Sequence, residues 1–221
     1  MTAIKRRMKS KIKKFLIFLG SVMIIAAAVL CAYNIHEGKK AGIAAEAAVT
    51  AIKSNLPVKS EKEEQKEIVP SEDDLYASYE QDEQQESISE IIIDGISYYG
   101  YLTIPALGLE LPIRTELSYP ALKESPCRFS GSVQNNDLII AAHNFPDHFG
   151  RISKLGTGDQ IILTDATGET YIYSVIYTEI IAGTDPPQMF NGQSEEWDLS
   201  LFTCTIGGQN RITVRASIIE K

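Results

Sequence analysis

The chain has 221 residues, of which 44% are apolar and 23% charged, so it can form one or two domains with a packed core. Its 29 acidic residues outnumber its 21 basic residues, and the formal net charge is −8 at pH 7. A nucleic-acid-binding surface needs a basic excess to neutralise phosphates, so this balance argues against a nucleic acid as partner.

The N-terminus has the pattern of a membrane anchor. Residues 1–14 contain seven Lys or Arg and no Asp or Glu, and the next 19 residues, Phe15 to Tyr33, carry no charge. A helix needs about 20 apolar residues to cross a bilayer core ~30 Å thick, and the basic flank belongs in the cytoplasm. We predict a cytoplasmic tail (1–14), a single transmembrane helix (15–33) and an extracellular remainder at the cell membrane. A cleaved signal peptide is the alternative, but its apolar region is usually about 7–15 residues.

Residues 34–90 are predicted to connect this anchor to a folded domain. Residues 41–53 are rich in alanine and favour a helical stalk, which Pro57 would end. Residues 61–90 contain twelve Asp or Glu and few large apolar side chains, a composition typical of a flexible linker. No spacing typical of a calcium-binding loop is present, so we predict no metal in this segment.

From residue 91 the sequence has the texture of a β domain of about 130 residues. Short runs rich in β-branched and aromatic residues alternate with turn residues, which indicates an all-β barrel or sandwich. Short helices are expected at 119–124 and 149–155. The predicted strands are Ser97–Ile104, Leu107–Ile113, Asp137–Ala142, Gln160–Thr164, Thr170–Ile181, Asp198–Thr205 and Arg211–Ile219.

Two cysteines and two histidines of this domain are candidates for chemistry: Cys127, Cys204, His143 and His148. A secreted domain with two cysteines forms a disulfide by default. A metal site is a second interpretation, but the four residues lack the paired spacing of zinc ligands. A third is a nucleophilic site, in which a cationic neighbour stabilises a cysteine thiolate.

The local context favours the nucleophilic site. His143 follows an apolar strand directly, and Cys204 lies near the end of another strand. Arg211 begins the last strand after a short turn, so two adjacent strands should place Cys204 and Arg211 side by side. A guanidinium at that position can donate hydrogen bonds to a developing oxyanion.

Four sequence motifs together resemble the sortase family. Residues 201–204 (LFTC) are similar to the strand that carries the sortase cysteine, and residues 211–216 (RITVRA) are similar to the strand after it. Residues 139–143 (IIAAH) resemble the strand that ends in the sortase histidine, and Ile104-Pro105 with Leu111-Pro112-Ile113 resemble the early strands. The resemblance covers residues 97–219 in the family's order, with Ala142 where Gly is usual.

The resemblance implies a closed sortase-type β-barrel and the activity of a cysteine transpeptidase. Cys204 would be the nucleophile that forms an acyl-thioester, His143 the general acid and base, and Arg211 the oxyanion stabiliser. The implied substrates are secreted proteins with a C-terminal sorting signal similar to L-P-x-T-G, and the implied acceptor is a cell-wall peptide amine or a pilin amine. No cofactor is implied.

Three further residues are predicted to contact the substrate. Thr203 precedes the cysteine, while Pro187 and Met189 belong to the loop before its strand, which would form a wall of the substrate groove. The loop of sixteen residues, Ala182 to Trp197, is short for a class B sortase, and the linker lacks the aromatic lid motif of class C. The chain is therefore nearest to class A or to the class D-like enzymes.

Several alternatives remain open from the sequence. The same residues would serve a cysteine hydrolase that releases its product to water, and a non-catalytic surface β-barrel would need none of them. His148 is an alternative acid and base to His143. Arg215 is interpreted as a structural or rim charge, and Cys127 as a buried or partly buried free thiol.

Overall fold

A computed structural model describes residues 2–57, 89–184 and 197–221, with side chains from residue 13 onward within these ranges. The chain begins with one long helix, α1 (Thr2–Asn55), which contains the predicted anchor and the predicted stalk. By length and composition, the segment Lys13–Asn55 qualifies as a membrane span, and among the described residues it is the single helix that does. Most of the acidic linker lies outside the described residues.

The two halves of α1 have different surroundings. The side chains of residues 15–33 are almost all exposed, as expected for a helix that faces lipid. In the second half, Ala41, Ala45, Val49 and Ile52 are buried, and their spacing of three or four residues places them on one face. This face packs mainly against the strand Leu109–Arg114 of the domain. The predicted stalk is therefore helical and lies against the barrel.

The domain is built almost entirely from strands, as predicted. Among the residues of the domain that the structure describes, the helical pieces are α2 (Tyr119–Glu124) and two short 3₁₀ turns, Pro105–Leu107 and Ile152–Lys154. Ser118 caps α2 by accepting a hydrogen bond from the backbone N–H of Ala121. The strands are β1 (Ile91–Ile93), β2 (Ile96–Ile104), β3 (Leu109–Arg114), β4 (Cys127–Ser130), β5 (Leu138–Ala141), β6 (Gln160–Asp165), β7 (Thr170–Ala182), β8 (Leu199–Cys204) and β9 (Asn210–Glu220).

Eight of these strands close into a barrel. The order is β2-β3-β4-β5-β8-β9-β7-β6, and β6 pairs back onto β2, while β1 extends β2 as a hairpin. At the closing seam, Gly100 has φ +148°, and a Cβ there would lie 2.1 Å from the carbonyl oxygen of Thr164. Glycine is therefore required at this point, because a side chain would collide with the backbone of the paired strand.

The barrel interior is filled by alternate apolar side chains of the strands. Those of Leu102, Ile140, Leu163, Leu201 and Val214 are fully buried in one hydrophobic cluster. Alternation along each strand places every second side chain in this interior. Burial of this apolar surface is the main favourable term in the stability of the domain.

Three neighbouring strands bring the candidate chemistry to one end of the barrel. β5 runs parallel to β8, with Ala141 opposite Phe202, and β9 runs antiparallel to β8. The carboxyl ends of β5 and β8 and the first residues of β9 therefore meet at the same edge.

Candidate active site

Cys204 and Arg211 are direct cross-strand partners. They form the last register pair of the β8–β9 hairpin, at the end of each strand nearest the turn. The turn is closed by backbone hydrogen bonds from Thr205 N to Asn210 O (2.9 Å) and from Gly208 N to Thr205 O (2.8 Å). Side chains of directly opposed residues lie on the same face of the sheet, so the thiol and the guanidinium share one surface.

His143 reaches the same edge through the parallel pairing of β5 with β8. The strand contact continues beyond Ala141, because the N–H of Ala142 donates to the carbonyl of Phe202 at 3.1 Å. The hydroxyl of Thr203 donates to the carbonyl of Ala142 at 2.8 Å. These two bonds tie the backbone on the N-terminal side of His143 to the strand that carries Cys204.

The three side chains line one cavity of about 320 Å³. Besides Cys204, His143 and Arg211, its lining is largely apolar, and it includes the exposed or half-buried side chains of Leu117, Tyr119, Leu122 and Phe129. Ligand sites are typically concave and apolar, with a few convergent polar groups. The cavity has this character, because its wall is largely apolar and three polar or reactive side chains contribute to its lining.

The imidazole of His143 is held by aromatic neighbours. Its ring meets the ring of Tyr119 edge-on at a centroid distance of 5.8 Å and the ring of Phe145 at 5.1 Å. Its Nε2 is buried and has no hydrogen-bond partner among the described residues. Burial, with a smaller contribution from the nearby Lys123 ammonium, lowers the pKa of His143. The neutral imidazole is therefore favoured at neutral pH.

The guanidinium of Arg211 is fixed by the turn that precedes it. Its Nη1 donates to the carbonyl of Gly208 at 2.8 Å and to that of Asn210 at 3.1 Å. A Cβ on Gly183 would lie 3.3 Å from this nitrogen, so the residue that follows β7 lies close to the guanidinium. The other N–H groups have no hydrogen-bond partner among the described residues, which leaves them available for an oxyanion.

The predicted substrate-binding residues have separate outcomes. Thr203 is 1% exposed, and its hydroxyl bonds to Ala142 within the barrel wall. A contact between Thr203 and substrate stays a prediction. In the structure the Thr203 hydroxyl links strand β8 to the end of strand β5. Pro187 and Met189 lie outside the described residues.

The open questions about neighbouring residues receive structural answers. Cys127 and Cys204 are both free thiols, and Cys127 is buried, with its pKa raised to about 11 by burial. His148 belongs to the loop that follows His143; its side chain is fully buried and does not line the cavity. Burial and the neighbouring His143 lower the pKa of His148 to about 4, although Asp147 opposes this shift.

Arg215 has a structural position, four residues after Arg211 on the same strand. It is fully buried, and its Nε donates to a carboxylate oxygen of Glu179 at 2.8 Å. Its Nη1 donates to the hydroxyl of Ser200 at 2.6 Å, and its guanidinium lies 4.4 Å from the ring centroid of Trp197. These contacts fasten the strand that carries Cys204 to the strand that carries Arg211 at a distance from the cavity.

The apolar wall of the cavity is the part of the site that sequence reasoning missed. Leu117, Tyr119 and Leu122 come from the segment around α2, while Phe129 comes from β4, a strand that was not predicted. The signal that points to these residues is the exposure of the apolar side chains Leu117, Tyr119 and Phe129, and this exposure is visible only in the structure. Within the described residues, no group of three or more His, Cys, Asp or Glu is placed to hold a metal ion.

The family model described as the sortase domain matches residues 102–219. The match covers more than half of the chain and includes Cys204, His143 and Arg211. The chain therefore belongs to the sortase family, whose members are cysteine transpeptidases. No curated protein sequence matches it.

Solved structures of sortases share the fold. Sortase C1 of Streptococcus agalactiae is 24% identical, with a TM-score of 0.53 over 65% of this chain and 80% of that one. A sortase D5 transpeptidase of Clostridium perfringens is 23% identical, with a TM-score of 0.50 over 59% of this chain and 83% of that one. The chain spans 64% of the sortase C1 of GBS pilus island 1, at 21% identity and a TM-score of 0.49 over 55% of this chain. At these identities the structures show the fold alone.

Proposed function

We propose that the chain is a membrane-anchored cysteine transpeptidase that cleaves an L-P-x-T-G-like sorting signal and joins the released protein to an amine. The observation that carries the proposal is the pairing of Cys204 with Arg211 on opposed strands, beside a cavity that both residues and His143 line. A nucleophile, an acid–base group and a cation beside one apolar cavity are the parts that acyl transfer through a thioester requires.

Acylation begins with the thiol of Cys204. The lowered pKa of His143 keeps its imidazole neutral, so the imidazole accepts the thiol proton and becomes an imidazolium beside the thiolate. The thiolate attacks the scissile carbonyl, and the available N–H groups of Arg211 stabilise the oxyanion. As the intermediate collapses, the imidazolium donates its proton to the departing amine, which leaves an acyl-thioester on Cys204.

Transfer reverses these roles. An acceptor amine enters the position of the leaving group, and neutral His143 takes its proton as it attacks the thioester carbonyl. The second tetrahedral oxyanion forms beside Arg211 and collapses with loss of the Cys204 thiolate, which then regains a proton. The product is a new amide bond, so the enzyme conserves the energy of the bond that it cleaved.

The cavity supports the proposed substrate class. Its apolar side chains suit the leucine and proline of a sorting signal, and the candidate reactive groups line the same cavity. The long N-terminal helix supports a single-pass anchor, with residues 1–14 in the cytoplasm and the domain 91–221 outside the cell. The acceptor is then a cell-wall peptide amine or a pilin amine, and the class A or class D-like assignment is part of this proposal.

Transpeptidation is tested by incubating the full chain in detergent with L-P-x-T-G-like peptides, with and without hydroxylamine or triglycine. We expect the amine adduct by mass spectrometry, an acyl-enzyme mapped to Cys204, and loss of both in Cys204→Ala. Cys127→Ala is the matched control and should retain activity. Hydrolysis at an unchanged rate with no adduct would favour a plain hydrolase. Resistance of Cys204 to alkylation, with no turnover of any peptide, would favour a non-catalytic barrel.

A further inference from the structure

The second half of α1 lies directly against the loop that follows His143. A Cβ on Gly38 would lie 3.8 Å from the Cβ of Phe145, and a Cβ on Gly42 would lie 3.2 Å from the Cβ of Asp147. Gly38 is buried at this contact, and the buried face of the helix continues from it along α1. An added Cβ would make an ordinary van der Waals contact at Gly38 and a tight one at Gly42, so the helix packs directly against this loop.

The loop itself is tightly constructed. The carbonyl of Phe145 accepts hydrogen bonds from the N–H of His148 (3.0 Å) and of Gly150 (2.9 Å), and the carbonyl of His143 accepts one from Phe149 (3.2 Å). A Cβ on Gly150 would lie 2.5 Å from the carbonyl oxygen of Asn144, so the chain turns back closely on itself. A displacement of Phe145 therefore moves the whole loop rather than one side chain.

Phe145 connects this loop to the imidazole of His143. Its ring lies 5.1 Å from the His143 ring and 5.6 Å from the His148 ring, so the one side chain separates the helix from both imidazoles. Tyr119 contacts the His143 ring edge-on, and its helix α2 also packs against α1. The elements that supply these two contacts therefore both rest on α1.

Packing is the feature that orients the imidazole of His143. In a Ser-His-Asp site a carboxylate fixes the orientation and tautomer of the histidine. Within the described residues, neither a carboxylate nor any other side chain or backbone group makes a hydrogen bond to the His143 ring. The orientation of the His143 ring therefore depends on its aromatic contacts with Phe145 and Tyr119.

We propose that Phe145 is a positioning residue for His143, and that the second half of α1 holds Phe145 in place. The part of α1 that follows the membrane anchor is then a structural part of the catalytic unit and not only a tether. This inference rests on the role of His143 in the proposed function. In this proposal Phe145 and Gly38 affect catalysis through the position of His143, and neither residue contacts the reacting atoms.

The variants Phe145→Ala and Gly38→Leu test the two steps of this argument. Phe145→Ala removes the ring that covers the imidazole, and Gly38→Leu adds a side chain where Phe145 rests. Phe145→Leu restores apolar volume, and Thr50→Leu adds the same side chain at an exposed position of the helix, as the control. The measurements are kcat and KM of the full chain in detergent, and the NMR titration of the His143 imidazole.

We expect Phe145→Ala and Gly38→Leu to lower kcat by about 10- to 100-fold, with KM changed less than about threefold, because a misplaced catalytic group slows the chemical step. The pKa of His143 should rise towards the ordinary value of about 6.5 as water reaches the ring. Phe145→Leu and Thr50→Leu should remain within about threefold of the parent in kcat.

An unchanged kcat in Phe145→Ala and Gly38→Leu would overturn the inference, whether or not the pKa of His143 moves. If Phe145→Ala does not fold by circular dichroism, Gly38→Leu and Phe145→Leu decide the matter. Failure of the proposed function is distinguishable, since it would show as absent peptide cleavage by the parent chain. The imidazole titration would then decide by itself whether Phe145 and α1 set the position of His143.

Discussion

The hydroxyl of Thr203 provides a direct test of how the two strands of the site are held in register. It donates to the carbonyl of Ala142 at 2.8 Å, and the residue is 1% exposed. Thr203→Val replaces the hydroxyl with a methyl of similar shape and leaves that buried carbonyl without this donor. Loss of a partner by a buried polar group costs about 1–3 kcal/mol, so the free energy of unfolding should fall by that amount.

The functional effect should exceed what the stability change alone would cause. Ala142 directly precedes His143, and Thr203 directly precedes Cys204, so the bond joins the backbones of the two proposed catalytic residues. With the bond removed we expect kcat to fall about tenfold, because a small misalignment of reacting groups is costly. Thr203→Ser keeps the hydroxyl and loses a methyl group, so its kcat should stay within about threefold of the parent, with about 0.5–1.5 kcal/mol lost in stability.

The assay is urea denaturation of the full chain in detergent, combined with peptide-cleavage kinetics on the same preparations. The reasoning requires Thr203→Val to be impaired more in kcat than Thr203→Ser. Equal losses of kcat in the two variants would show that the hydrogen bond is not the feature that matters, because Thr203→Ser keeps the hydroxyl and Thr203→Val does not. Wild-type stability and kcat in Thr203→Val would refute the link altogether.

Three further predictions follow from neighbouring groups. Arg211→Ala should abolish turnover while the unfolding free energy changes by less than about 0.5 kcal/mol. Arg215→Ala should cost about 2–5 kcal/mol, because it empties a fully buried site and removes the hydrogen bonds to Glu179 and Ser200. Both are measured by urea denaturation and kinetics, and equal destabilisation by the two would contradict the assignment. The pKa of His148 is about 4 in the folded state and about 6.5 when unfolded, so the unfolded chain binds more protons between these values and stability falls as pH decreases from about 6.5 towards 4. His148→Phe should therefore lose less stability than the parent between pH 7 and pH 5. The same pH dependence of stability in both proteins would contradict this role of His148. Burial raises the pKa of Cys127 to about 11, so iodoacetamide at pH 7 should modify Cys204 and leave Cys127 unmodified in the native domain. Mass spectrometry measures the modification at each thiol. Comparable rates at the two thiols would be inconsistent with the burial of Cys127.

Most of the fold could be predicted from local patterns. The barrel strands β6 and β9 were predicted within one residue of their observed bounds, and α2 coincides with the predicted helix at 119–124. The strand β4 (Cys127–Ser130) was missed, because four residues with mixed exposure carry too little periodicity to be recognised. The hairpin strand β1 has only three residues and was missed for the same reason.

The candidate site was predictable where neighbouring strands are also neighbours in sequence. The short turn between β8 and β9 makes Cys204 and Arg211 opposite partners, as the sequence indicated. The position of His143 needed the parallel pairing of β5 with β8, which joins residues some sixty positions apart. It was expected from the resemblance to the family and not from any local pattern.

The amino-acid sequence by itself determined the apolar N-terminal segment, the β texture of the domain, the hairpin that pairs the thiol with the guanidinium, and the ordered motifs of a sortase. These are properties of residues close together along the chain, where periodicity, charge and turn chemistry act directly. Only the tertiary structure decided that α1 packs beneath the loop of Phe145, that the hydroxyl of Thr203 is directed into the barrel wall, and that Arg215 is buried. Each of these depends on which distant surfaces meet, and long-range packing is the part of folding that no local pattern encodes.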